Sequence, residues 1–179
     1  MTYPAAMGDA PKISMPPAGS GDAVLLILGS LPGEASLAAQ RYYAHPQNQF
    51  WRLLGDALGE PLAALDYDGR LDRLSARGVA VWDVVGEAVR RGSLDGALRE
   101  VRANPLAKFV KGHPQLRAVA FNGQTAARLG RRALGERSGL LLLDLPSSSP
   151  AYTIPYRDKA ARWAALGELA LAAKPATLR

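Results

Sequence analysis

The ten residues YYAHPQNQFW, Tyr42–Trp51, gather two adjacent tyrosines, one of the chain's two histidines and one of its three asparagines, although aromatic residues make up only 7% of the sequence. A packed core has no use for polar, ring-bearing side chains beside a proline; a pocket does. Tyr43, and less directly Tyr42, offers a flat face on which a nucleobase can stack, a contact worth about 1–3 kcal/mol per base. Asn48 carries a donor and an acceptor on one planar amide. It therefore suits holding a water or reading a base edge, and equally suits N-capping a helix that begins at Gln49. His45, ahead of Pro46, either satisfies a loop carbonyl or reaches a ligand.

Two further stretches carry chemistry. In GSLPG, Gly29–Gly33, the glycines allow sharp turns and close approach of a ligand, and Pro32 stiffens the loop around Ser30 and Leu31. The spacing is that of neither a Walker loop nor a dinucleotide fingerprint, so neither ATP nor NAD is implied. In PSSSP, Ser147, Ser148 and Ser149 stand between prolines and cannot settle into helix or strand. Their hydroxyls and loop amides suit phosphate oxygens, unless the segment is a plain Ser/Pro linker. Behind it, AYTIPYRDK could supply an apolar wedge, Tyr152 or Ile154, and basic phosphate contacts at Arg157 and Lys159.

These residues need a frame. DAVLLILGS, GVAVWDVV, LRAVAFNG and GLLLLDL read as short, buried strands of a parallel sheet. Helical periods lie between them: NQFWRLLGDAL, LDYDGRLDRLSARG, QTAARLGRRAL, YRDKAARWAALGELALAA, and SLDGALREVR with Ser93 as its N-cap. Strands alternating with helices predict an α/β fold, a three-layer α/β/α sandwich around a roughly four-stranded parallel sheet. A single domain over 22–179 would follow a mobile tail over 1–21. In such folds the working site lies at the carboxyl ends of the strands, and there the composition changes to GSLPG, WDVV, FNG and LPSSSP.

Bulk properties narrow the classes. The chain has no cysteine, which excludes disulfides and thiolate metal sites, and with two histidines any metal would sit mainly on oxygen. No apolar run approaches the ~18–20 residues that span a bilayer, and the N-terminus lacks the regions of a secretion signal, so a cytoplasmic setting is expected (nucleoid-associated in a bacterium). The net charge of +6 suits a polyanionic partner, although an Arg-rich coding bias alone would give it.

In their order and spacing, GSLPG, YYAHPQNQFW, FNG and LPSSSPA resemble the uracil-DNA glycosylase superfamily, and within it the hypoxanthine-DNA (deoxyinosine) glycosylase branch, from Ala23 to about Leu166. An enzyme without cofactor or metal is expected, and no feature of the sequence demands more than a monomer. The resemblance implies hydrolysis of the N-glycosidic bond of a deaminated base flipped out of DNA, with water as nucleophile. It assigns Asn48 to the water, Asn122 to the base or to supporting the pocket's geometry, and Trp82 or Asp83 on the second strand to reading the base. Together with the residue readings above, Gly29, Ser30, Leu31 and Tyr43 are expected at the base and His45, Ser147, Ser148, Ser149, Tyr152, Arg157 and Lys159 at the DNA. Two positions depart from the uracil-processing pattern. Leu31 stands where an Asp or Asn activates water, and Leu145 where a His or Asn meets the departing base. A uracil or mismatch glycosylase of the same fold and a non-catalytic DNA- or nucleotide-binding relative therefore stay open. So does a hydrolase using Ser30 and His45, although the nucleophile-elbow pattern is missing.

Overall fold

The computed structural model describes residues 10–135 and 139–172. In chain order they form β1 (Lys12–Ile13), β2 (Ala18–Gly19), β3 (Leu25–Gly29), α1 (Glu34–Ala39), α2 (Phe50–Leu58), α3 (Tyr67–Ala76), β4 (Val79–Asp83), β5 (Val85–Val89), β6 (Arg99–Ala103), α4 (Leu106–Gly112), β7 (Ala118–Asn122), α5 (Gln124–Leu134), β8 (Leu141–Leu145), α6 (Tyr156–Trp163) and α7 (Leu166–Leu169). The main sheet has the order β2-β4-β3-β7-β8. Four of its strands are parallel, as the sequence predicts, and β2 adds an antiparallel edge to β4. Leu25 to Leu28 have no exposed surface, because helices cover both faces of a parallel sheet and leave no solvent side for a polar residue to occupy. The helices α2, α6 and α7 pack together, while α5 lies over β3, β7 and β8 and carries α4. This is the expected three-layer α/β/α sandwich.

Two segments differ from their sequence reading. Residues 12–20, placed in a mobile tail, are tied down: β1 pairs with Ala88 and Glu87 of β5, β2 pairs with Val81 and Ala80 of β4, and Met15 is buried in the core. Residues 1–9 lie outside the described part. The second difference is SLDGALREVR, which forms a single 3-10 turn at Asp95–Ala97 and then β6, not an α-helix. Gly92, with φ of 66°, turns the chain sharply just before Ser93, and β6 pairs antiparallel with β5 to complete a second sheet, β1-β5-β6. Ser93 does cap a helix, but another one: its Oγ accepts the backbone N–H of Glu34, the first residue of α1. Among the described residues no helix is long and apolar enough to cross a membrane.

Candidate active site

Register brings the chemistry together. In the parallel sheet Gly29 is paired with Asp83, Leu28 with Phe121, and Asn122 with Leu145, so the four strands end nearly level. Above these ends opens a cavity of about 480 Å³, lined by all of GSLPG, Tyr42, Tyr43, His45, Asn48, Asp83, Asn122, the three serines of PSSSP and Tyr152. That volume falls within the ~300–1,000 Å³ typical of small-ligand sites. A Cβ on Gly29 would stand 2.8 Å from both the Asp83 Oδ1 and the Tyr43 hydroxyl. Glycine there lets the two polar groups approach the floor.

The Tyr43 ring lies flat on Phe50, with centroids 3.7 Å apart and planes 9° off parallel. Its φ of 53° is rare for a bulky residue, and the neighbours hold it there: Phe50 backs one face, while the hydroxyl accepts from Asn122 Nδ2 at 3.1 Å. Asn122 Nδ2 also donates to Ser148 Oγ (2.8 Å), and Ser148 Oγ donates to Asn48 Oδ1 (2.8 Å). The Ser148 N–H returns a bond to Asn122 Oδ1. Backbone donors fix both amides: Phe50 N–H points at Asn48 Oδ1 and Ser148 N–H at Asn122 Oδ1, so only oxygens fit in those positions. Asn48 therefore keeps its Nδ2, without a partner among the described residues, for whatever enters the cavity. Burial pushes the Tyr43 phenol well above its ordinary value, with the Asp83 charge adding to this, so the hydroxyl stays protonated.

Asp83 closes the floor. Its side chain is 3% exposed, and burial pushes its carboxyl up to about 7. A hydrogen bond from Ser14 Oγ to Oδ2 (3.1 Å) and the Arg90 charge work against that rise, whereas Asp95 adds to it. Arg90 and Asp95 belong to the β5–β6 hairpin. The Arg90 side chain is fully buried and donates to the carbonyls of Leu31, Pro32 and Gly92, standing 4.0 Å from Asp95. Asp95 accepts from the Ser30 hydroxyl at 2.6 Å. The hairpin thereby clips the exit loop of β3 in place.

An aromatic platform, a network of amides and hydroxyls and a near-neutral carboxyl at the rim of a parallel sheet invite comparison with known proteins, and residues 16–170 match the uracil DNA glycosylase superfamily. The chain belongs to this superfamily. Two curated relatives, each named hypoxanthine DNA glycosylase, come from Methanosarcina barkeri (strain Fusaro), 35% identical over 86% of this chain and 96% of that protein, and from Methanosarcina acetivorans, 35% identical over 79% and 89%. A solution NMR structure of a candidate uracil DNA glycosylase from M. acetivorans superposes with a TM-score of 0.79 at 33% identity, over 89% of this chain and 99% of that one.

Within this superfamily frame the expected residues sort clearly. Gly29, Ser30, Leu31, Tyr43, His45, Asn48, Asn122, Ser147, Ser148, Ser149 and Tyr152 all line the cavity. Trp82 does not: strand alternation sends its ring to the opposite face, where Nε1 donates to Met15 O and the ring packs against Phe109. Its neighbour Asp83 takes the cavity side. Ser148 is completely buried with its hydroxyl committed on both sides, so it organises the site and has nothing left for a phosphate. Lys159 is buried too, donating to Ser149 O and facing the Tyr152 ring; burial lowers its pKa. Its role is to brace the serine loop. Arg157 is 88% exposed and outside the cavity lining. Ser30 and His45 are no catalytic pair, because Ser30 donates to Asp95 and His45 Nδ1 accepts from Gln47 N–H. Sequence reasoning missed Arg90, Ser14 and Asp95, whose link to the site exists only through the second sheet.

Proposed function

We propose that this DNA glycosylase hydrolyses the N-glycosidic bond of deaminated purine nucleotides, hypoxanthine first, everted from DNA into the cavity of a single chain. The names of the two Methanosarcina relatives support the lesion. The observation that carries the reading is the stacked Tyr43–Phe50 pair with Asn48 and Asp83 lining the same cavity. A flipped base slides onto the free face of Tyr43, and its carbonyl meets the floor. Deamination turns an amino group into a carbonyl, a donor into an acceptor. A protonated Asp83 donates to that carbonyl oxygen and would face adenine's amino group donor to donor.

The same contact assists the chemistry. As the bond from C1′ to the base breaks, its electron pair moves onto the ring and partly onto the carbonyl oxygen, while the sugar becomes oxocarbenium-like. A hydrogen bond to that oxygen strengthens as charge develops, and fixed donors in a dry site supply most of such stabilisation. Asn48 cannot act as a base at neutral pH, and its Oδ1 is already taken. Its Nδ2 positions the water that bonds to C1′, a contribution of orientation, and the proton that water loses passes to the departing base anion or to solvent. Neither Leu31 nor Leu145 supplies a polar group, so this Asp83–Asn48 division of labour replaces the one that uracil-processing relatives use.

The test is a panel of duplexes carrying a single deoxyinosine, deoxyxanthosine or deoxyuridine, incubated with the protein and then alkali to reveal abasic sites. Fastest cleavage at deoxyinosine is expected. Preference for deoxyuridine would make this a uracil glycosylase, and binding without any cleavage would make it a non-catalytic relative.

A further inference from the structure

The turn of the β5–β6 hairpin leaves a large apolar side chain in solvent while its polar groups are tied down. Those groups are bonded back to the protein, with buried Arg90 on three carbonyls and the exposed Ser93 and Asp95 on the α1 N-terminus and Ser30. Leu94, between them, is 65% exposed and lines the cavity. Folding alone favours the reverse, since removing a leucine side chain from water stabilises a fold. A leucine held out to solvent on a turn fixed by at least five hydrogen bonds is therefore a rigid apolar projection. Tyr152, 44% exposed, projects at the same cavity from the segment before α6. The hairpin also carries the exposed Arg99 and Arg102 on β6, side chains of a charge that a phosphate backbone attracts.

We propose that Leu94 is a second wedge for duplex DNA, pressing into the base stack beside the everted nucleotide while Tyr152 enters from the other segment. This rests on the glycosylase reading above. Apolar side chains inserted between base steps offset the cost of unstacking, a cost that single-stranded substrate does not carry. Leu94 should therefore matter on the duplex alone.

The experiment compares wild type with Leu94→Ala and Leu94→Met on deoxyinosine in duplex and in single strand, with 2-aminopurine beside the lesion. We expect Leu94→Ala to lower single-turnover excision from the duplex about tenfold and to abolish the fluorescence rise on binding. Its rate on the single strand should match wild type, and Leu94→Met should restore the duplex. Equal rates for Leu94→Ala and wild type on the duplex, or equal losses on both substrates, would overturn the wedge while leaving the glycosylase reading intact. A wild type that releases no base from either substrate would overturn that reading and the wedge with it.

Discussion

The two walls of the cavity are made by different physics. On one side, Tyr43, Asn122, Ser148 and Asn48 are joined by neutral hydrogen bonds between side chains anchored on the main sheet and the start of α2. On the other, the second sheet supplies Arg90 and Asp95, charged groups that hold the β3 exit loop and bear on Asp83. A neutral network keeps its geometry at every working pH. A charged wall sets a protonation state. The difference teaches that positioning and titration are assigned to separate parts of the site, so each can be broken without the other.

The largest effect should come from the neutral wall. Asn48→Ala removes the donor aimed at the water and should lower single-turnover base release by on the order of a hundred-fold or more, with affinity for lesion duplex in gel shift retained. Wild-type rates in that variant would take the water away from Asn48. Next, Ser148→Ala strips the link between the two amides. Leaving buried polar groups unpaired costs about 1–3 kcal/mol, so thermal unfolding should come at lower temperature and excision should drop about tenfold through lost orientation. Neither variant should move the pH profile.

The charged wall should show smaller effects of opposite sign. Removing the Asp95 charge while keeping its bond to Ser30, in Asp95→Asn, lets Asp83 titrate lower, so excision should begin to fail at lower pH. Arg90→Met removes a cation that favours the carboxylate, so the alkaline limb should shift upward, with reduced thermal stability because the carbonyls of Leu31 and Pro32 lose their donor. Shifts in the same direction would mean that neither charge acts through Asp83.

How far this was legible in the sequence follows the same division. The apolar runs and the punctuation after each one, GSLPG, FNG and LPSSSP, placed the parallel strands and the cavity's neutral wall, since local pattern and strand-end composition suffice for that. Asp83 was within reach but shared its place with Trp82, and only the phase of the strand at that point decides which of two neighbours faces the cavity. The charged wall was illegible. SLDGALREVR carries a helical period, yet its partner β5 and the glycine at position 92 make it a hairpin arm, and tertiary pairing overrides a ten-residue periodicity. The same holds for Ser14, whose bond to Asp83 spans 69 positions in the chain and depends on β1 docking on β5.

Asp83 also couples the site to stability. Its carboxyl is raised by burial, so the stability gained with the neutral form is present at acid pH and lost as pH rises through about 7. Asp83→Asn should accordingly unfold at higher temperature than wild type at pH 8.

The decisive measurement is the pH dependence of deoxyinosine excision by wild type and Asp83→Asn under single-turnover conditions. If a protonated carboxyl must meet the base carbonyl, the wild-type rate falls about tenfold per unit above pH ~7. In the variant the amide donates in its place at every pH, so activity persists and the alkaline limb is flat. A wild-type profile level from pH 6 to 9, or the same alkaline fall in the variant, would contradict the role given to Asp83.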